Sequence, residues 1–234
     1  MLFDDNNEAG REPYLGKQAD PIPGVHNSQG TPSPGPSLVT NRAAWADLQA
    51  YVKDIVDTFA DDTRVMMWDL YNEPGSFGMG DKSLPLVQAA FEWAREAKPN
   101  QPLTTGIWSE TGSRMAKTLM EMSDVISFRA YESENDLRSK LLLCHTLGRP
   151  LVCTEWLRRD KGNTFENVLP IFAEHHVGWY HWGLVAGETQ TYMPFGSKQG
   201  AEKPDIWQFD VLREDGSPYK KEEVELVRNF QYEP

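Results

Sequence analysis

From residue 41 onward, short apolar runs alternate with amphipathic stretches of helical length, and this order restricts the chain to parallel strands joined by helical crossovers. The spacing predicts a first helix from the Thr40-Asn41 cap to about Ala60, with Trp45, Leu48, Val52, Ile55, Val56 and Phe59 on one face. Arg64 to Leu70 reads as a buried strand, Ser83 to Ala97 as a helix ending before Pro99-Asn100, and Leu103 to Trp108 as a strand. A helix over Arg114 to Met122 and a strand over Val125 to Tyr131 follow. The helix Asn135 to Leu147 is stopped by Gly148 and Pro150. Leu151 to Glu155 (strand), Thr164 to His175 (helix), Val177 to Leu184 (strand) and Lys221 to Phe230 (helix) complete the order.

These runs amount to five strands, and Met1-Leu2-Phe3 reads as the tail of a sixth. A closed barrel of parallel strands has eight. Two architectures stay open: a (β/α)8 TIM-barrel type truncated at its N-terminus to about six βα units, or an open α/β sheet. The apolar strand that begins in mid-course at residue 1 favours the barrel. At 234 residues, the chain can bury a full core as a single partial barrel domain, 1–234. The stretch from Asp4 to Asn41 is rich in Pro and Gly, a loop longer than ordinary connections and therefore either functional or a flexible linker. In a barrel it follows a strand and lies on the C-terminal face, where active sites are built. Strand edges left open at residues 1 to 3 and 177 to 184 predict self-association into a homo-oligomer.

Two glutamates close apolar runs. Glu73 stands in Trp68-Asp-Leu-Tyr-Asn-Glu-Pro74 and Glu155 in Leu151-Val-Cys-Thr-Glu-Trp156. A pair of carboxyl groups at the ends of parallel strands that border a common site suits cleavage of a glycosidic bond with retention. One protonates the leaving oxygen while the other attacks the anomeric carbon from roughly 5 to 5.5 Å away.

The Asn-Glu-Pro segment resembles the strand-four motif of clan A glycoside hydrolases, Thr154-Glu155 the strand-seven nucleophile, and Trp182-Gly183 the strand-eight tryptophan. Within the clan the chain is most similar to the family 5-like cellulase and mannanase group. The resemblance implies Glu73 as acid/base and Glu155 as nucleophile, with Asn72 hydrogen-bonding the sugar 2-hydroxyl and Tyr131 orienting the nucleophile. It implies Trp182 as the floor of a sugar subsite and a retaining β-glycosidase, with an endo-β-1,4-glucanase first and mannanase or xylanase behind it. A catalytically impaired carbohydrate-binding barrel is the alternative. It further implies a secreted or periplasmic setting and no cofactor. Arg129 stands where relatives more often carry a histidine, and its head either supplies positive charge near the nucleophile or lies at the surface.

Other residues are weighed by type and place. Trp108 at a strand end offers a flat face to a sugar ring, as do Trp156 and Trp207 with less force. His26, in the long loop, and Glu188, after Gly187, are candidate substrate contacts. Trp45 and Trp93 sit at helical core spacing. His145 and the His175-His176 pair lie near helix ends, where they compensate the dipole. Glu174, Glu222, Glu223 and Glu225 fall on helix faces and are expected to be solvated. Cys144 and Cys153 form no metal-binding or disulfide pattern and read as small buried residues. A net charge of −12 argues against nucleic acid and anionic membranes as partners and leaves a neutral polymer as the natural one.

Overall fold

The computed structural model describes residues 1–231 and divides into two compact units: residues 1–17 with 30–127, and residues 18–29 with 128 to the end of the described chain. The chain passes between them at 17/18, at 29/30 and between Ser127 and Phe128, the last inside strand β5 (Ile126–Ala130).

In the first unit, β1 (Phe3–Asp4) pairs in parallel with β3 (Tyr71–Asn72), and β2 (Trp68–Asp69) pairs in parallel with β4 (Leu103–Thr104). Leu70 lies between β2 and β3. Its N–H donates to Thr104 O and its carbonyl accepts from Phe3 N, so the run 68–72 is bonded on both sides. That bonding fits the apolar centre of the motif strand, where Leu70 and Tyr71 are fully buried between the polar Asp69 and Asn72. The residues 64–67 expected in this strand lie outside it. At Asp4 the outer edge of β1 is occupied, since Asp4 and Ser33 exchange both backbone hydrogen bonds (2.7 and 2.8 Å).

The helices of this unit are α1 (Pro36–Thr40), α2 (Trp45–Thr58), α3 (Leu84–Glu96) and α4 (Arg114–Met122). Pro36 opens α1 at a first-turn position, where its missing N–H costs nothing, so the long loop ends in a helix that the sequence reading missed. A single 3-10 turn over Arg42–Ala44 then moves the start of α2 from the expected cap to Trp45. Trp45 and Trp93 meet edge to face at 6.0 Å, joining α2 to α3 as their spacing predicts. Ser113 caps α4 by accepting from Ala116 N at 3.0 Å.

In the second unit, β6 (Leu151–Trp156) lies between β5 and β7 (Gly178–Trp179), with β6 and β7 parallel. Helices α5 (Glu134–His145), α6 (Phe165–Glu174) and α7 (Lys221–Asn229) pack in succession. The strand expected from Val177 to Leu184 is only two residues long, and Gly183 (φ +80°) turns the chain beyond it. A Cβ there would stand 2.7 Å from Phe209 Cβ and 2.8 Å from Asp210 Oδ1, so the position admits only glycine.

Loop residues 18–29 are tied down. The Gln190 side chain donates to Ile22 O and accepts from Gly24 N, and Asn27 N donates to Thr189 O. Cys144 and Cys153 are buried free thiols, as expected. Glu223 corrects the reading of its helix face: it is fully buried and paired with Arg159 at 2.5 Å, whereas Glu222 and Glu225 are exposed. Among the described residues no helix is long and apolar enough to cross a membrane, and no group of three or more His, Cys, Asp or Glu is arranged to hold a metal ion.

Candidate active site

The candidate residues fall into two sets, one in each unit. In the first, β3 ends at Asn72 and the backbone turns through Glu73, whose φ is +43°. For a residue with a Cβ this left-handed conformation costs about 1–3 kcal/mol and persists only where the surroundings impose it. Gly75 (φ +90°) follows, so close to Gly80 O that a Cβ would stand 2.7 Å away. Glu73 is half-buried and Asn72 buried, the latter donating from Nδ2 to Asp4 Oδ1 at 2.9 Å.

Beside the turn lies Asp5, 3% exposed. Oδ1 accepts from Tyr71 Oη at 2.7 Å, while Oδ2 accepts from Gly75 N at 2.6 Å and, by a short bond, from Ser83 Oγ. Burial pushes the Asp5 carboxyl above its ordinary range, and the three donors pull it back. Burial and the neighbouring Asp5 carboxylate together push the Tyr71 phenol far up. Trp108 donates its indole N–H to Pro74 O at 2.9 Å and is 38% exposed, so the ring next to the Glu73 turn presents open surface. Phe77, on the loop after the motif, is half-exposed as well, and its loop position gave no sequence signal.

In the second unit, β6 carries Glu155 next to β5. Tyr131 Oη donates to Glu155 Oε2 at 2.8 Å, and Arg129 Nη2 lies 3.1 Å from Oε1. Each carboxylate oxygen thus has its own donor. Arg129 is almost fully buried and also donates to Thr154 Oγ1, so of the two positions open to its head the one beside Glu155 is realised. The Lys140 ammonium, in turn, donates to Arg129 O and pairs with Glu132.

His26 is buried rather than offered to a ligand. Its ring packs at 4.8 and 5.5 Å against Phe195 and Phe209, which in turn pack against Tyr131 at 5.7 and 5.5 Å. Its Nδ1 bonds Met193 O at 2.8 Å, which assigns the proton to Nδ1. Burial lowers the imidazole pKa, and the bond to Met193 offsets part of that.

Trp182 is half-buried with its backbone N–H on Trp156 O, and Glu188 is exposed in the turn closed by Gln190 N on Gly187 O. Trp156 and Trp207 are not open platforms. The first is buried among Phe165, Phe172 and Trp179, and the second stacks on Tyr219 at 4.4 Å.

No protein-family model matches the sequence, and no curated protein matches it. Solved structures do. The β-glucuronidase of Bifidobacterium dentium, in complex with coumarin-3-O-glucuronide, superposes with a TM-score of 0.55 at 15% identity, covering 84% of this chain and 35% of that one. The Bacteroides uniformis β-glucuronidase gives 0.59 at 11% identity, over 76% and 25% of the two chains. CbXyn10B in its native form gives 0.51 at 16% identity, over 88% and 75%. The chain therefore spans about a third or a quarter of the length of the glucuronidases it matches. At these identities the likeness is one of fold, and the fold is one that glycosidases use.

Proposed function

We propose that the chain carries the catalytic pair of a retaining β-glycoside hydrolase of the clan A, family 5-like type, built on a β/α-barrel. The observation that carries this reading is Glu155, a strand-end carboxylate whose two oxygens are held separately by Arg129 and Tyr131. A nucleophile fixed in this way retains a free lone pair and needs no reorganisation before attack.

In the first step Glu155 attacks the anomeric carbon while Glu73 gives its proton to the departing glycosidic oxygen. The products are a glycosyl-enzyme ester and the free alcohol. In the second step Glu73, now a carboxylate, takes a proton from water. That water attacks the same carbon and releases Glu155. The chemistry requires the two carboxyl groups about 5 to 5.5 Å apart. Asn72 serves the sugar 2-hydroxyl, and Trp108 and Trp182 serve as apolar faces for the rings. His26 contributes by packing behind Tyr131 through the two phenylalanines, and Glu188 remains a contact for a longer substrate.

A β-1,4-glucan is the first substrate, followed by mannan and xylan. The likeness to β-glucuronidases adds β-glucuronides, which the net charge of −12 ranks below neutral glycans. The test is phenol release from aryl β-glucoside, cellobioside, mannoside, xyloside and glucuronide substrates. Release from at least one is expected, with Glu155→Gln lowering it by about 10⁴-fold or more. Sugar binding without release by the wild type would instead favour a carbohydrate-binding barrel.

A further inference from the structure

Glu73 lies just past the end of β3, in a backbone conformation that a glutamate does not choose unaided. Several of the bonds around it come from one dipeptide, Asp4-Asp5, at the end of the neighbouring strand. Asp4 Oδ1 holds the Asn72 side chain, Asp5 N holds Asn72 O at 3.1 Å, and Asp5 Oδ2 holds Gly75 N. Residues on both sides of Glu73 are thus gripped from β1 and its extension. The Asp5 carboxyl also binds Tyr71 and Ser83, which precede and follow the turn. Pairing of β1 with β3 needs none of these side-chain bonds, because backbone bonds alone make a ladder. Burying a carboxyl group is costly, and here one oxygen reaches into the turn that carries Glu73, at Gly75 N, while Tyr71 and Ser83 on either side of the turn supply the other donors.

We propose that Asp4 and Asp5 are the positioning residues for Glu73, setting the 72–75 turn so that the acid/base carboxyl meets the glycosidic oxygen. The proposal rests on the acid/base role assigned to Glu73 above. For Asp5 it predicts a loss confined to proton delivery.

A 2,4-dinitrophenyl leaving group departs without protonation, whereas a phenyl group needs it. In Asp5→Ala, kcat/KM for the phenyl β-glycoside should fall by about 10²-fold or more, and that for the dinitrophenyl β-glycoside by less than about threefold. Asp5→Asn, which keeps the shape, and Ser83→Ala, which removes one donor, should show the same selectivity in weaker form. Equal losses on both substrates in all three variants would mean a general structural role and overturn the proposal.

The Gly75 amide gives a readout independent of turnover. Its hydrogen exchange in Asp5→Ala should accelerate at least about tenfold while that of Leu103 is unchanged. Retained Gly75 protection would also overturn the proposal. Accelerated exchange in a protein whose wild type hydrolyses neither glycoside would count against the glycosidase reading and leave the grip on the turn supported.

Discussion

His26 is a base that the fold keeps neutral. Burial lowers its pKa below the ordinary value of about 6.5, so near pH 6 the unfolded chain binds more protons than the folded one. The stabilisation is whole above about pH 6.5 and is lost as pH falls through the lowered folded value. Urea midpoints should therefore drop on acidification from pH 7 to pH 5, and His26→Gln, which can still donate to Met193 O, should flatten the slope. His181 and His175, which burial also depresses, carry a share of the slope that remains. An unchanged slope in His26→Gln would contradict this assignment. At this scale the strand-end glutamates and Tyr131 were legible because each follows an apolar run, which fixes where its side chain emerges. Asp5 was not, since its partners Gly75 and Ser83 are about 70 or more residues away and no local pattern announces a buried carboxylate. Nor was the burial of His26, which depends on Phe195 and Phe209 from a distant loop.

Among the elements, α7 is fixed by a buried ion pair. The Arg159 guanidinium reaches both oxygens of Glu223 and donates to Phe209 O and Asp210 O as well, with both side chains 1% exposed. Removing one partner leaves the other charge uncompensated, at a cost of about 3–5 kcal/mol. Glu223→Gln should lose about that much in denaturant unfolding, while Glu222→Gln on the same helix should change stability by less than about 0.5 kcal/mol. Equal effects would show that the buried pair is not what holds α7. Helical periodicity read α3 and α4 to within a residue, because the repeat of apolar positions persists over several turns. The strands came out too long at 64–70, 103–108 and 177–184. An apolar run reports burial, whereas a strand also needs a neighbour to pair with, and that neighbour comes from elsewhere in the chain. Glu223 was misread for a related reason: the periodicity of α7 gave its place on the helix but not the arginine brought against it.

For the whole molecule, alternation of strand and helix was enough to place the chain among α/β folds with parallel pairing, and its solved neighbours include glycosidases. Under the proposed reading the choice of glycan was not legible, since it would rest on loops whose conformation follows from long-range ties such as Gln190 to the 22–25 segment. The central claim, that Glu155 is the nucleophile and Glu73 the acid/base of one double displacement, is tested most directly by azide rescue of the two alanine variants on an activated aryl β-glycoside. The account predicts an α-glycosyl azide from Glu155→Ala, formed in one inverting step, and a β-glycosyl azide from Glu73→Ala, formed through the glycosyl-enzyme. A β-azide from Glu155→Ala, or no azide product from either variant, would contradict it.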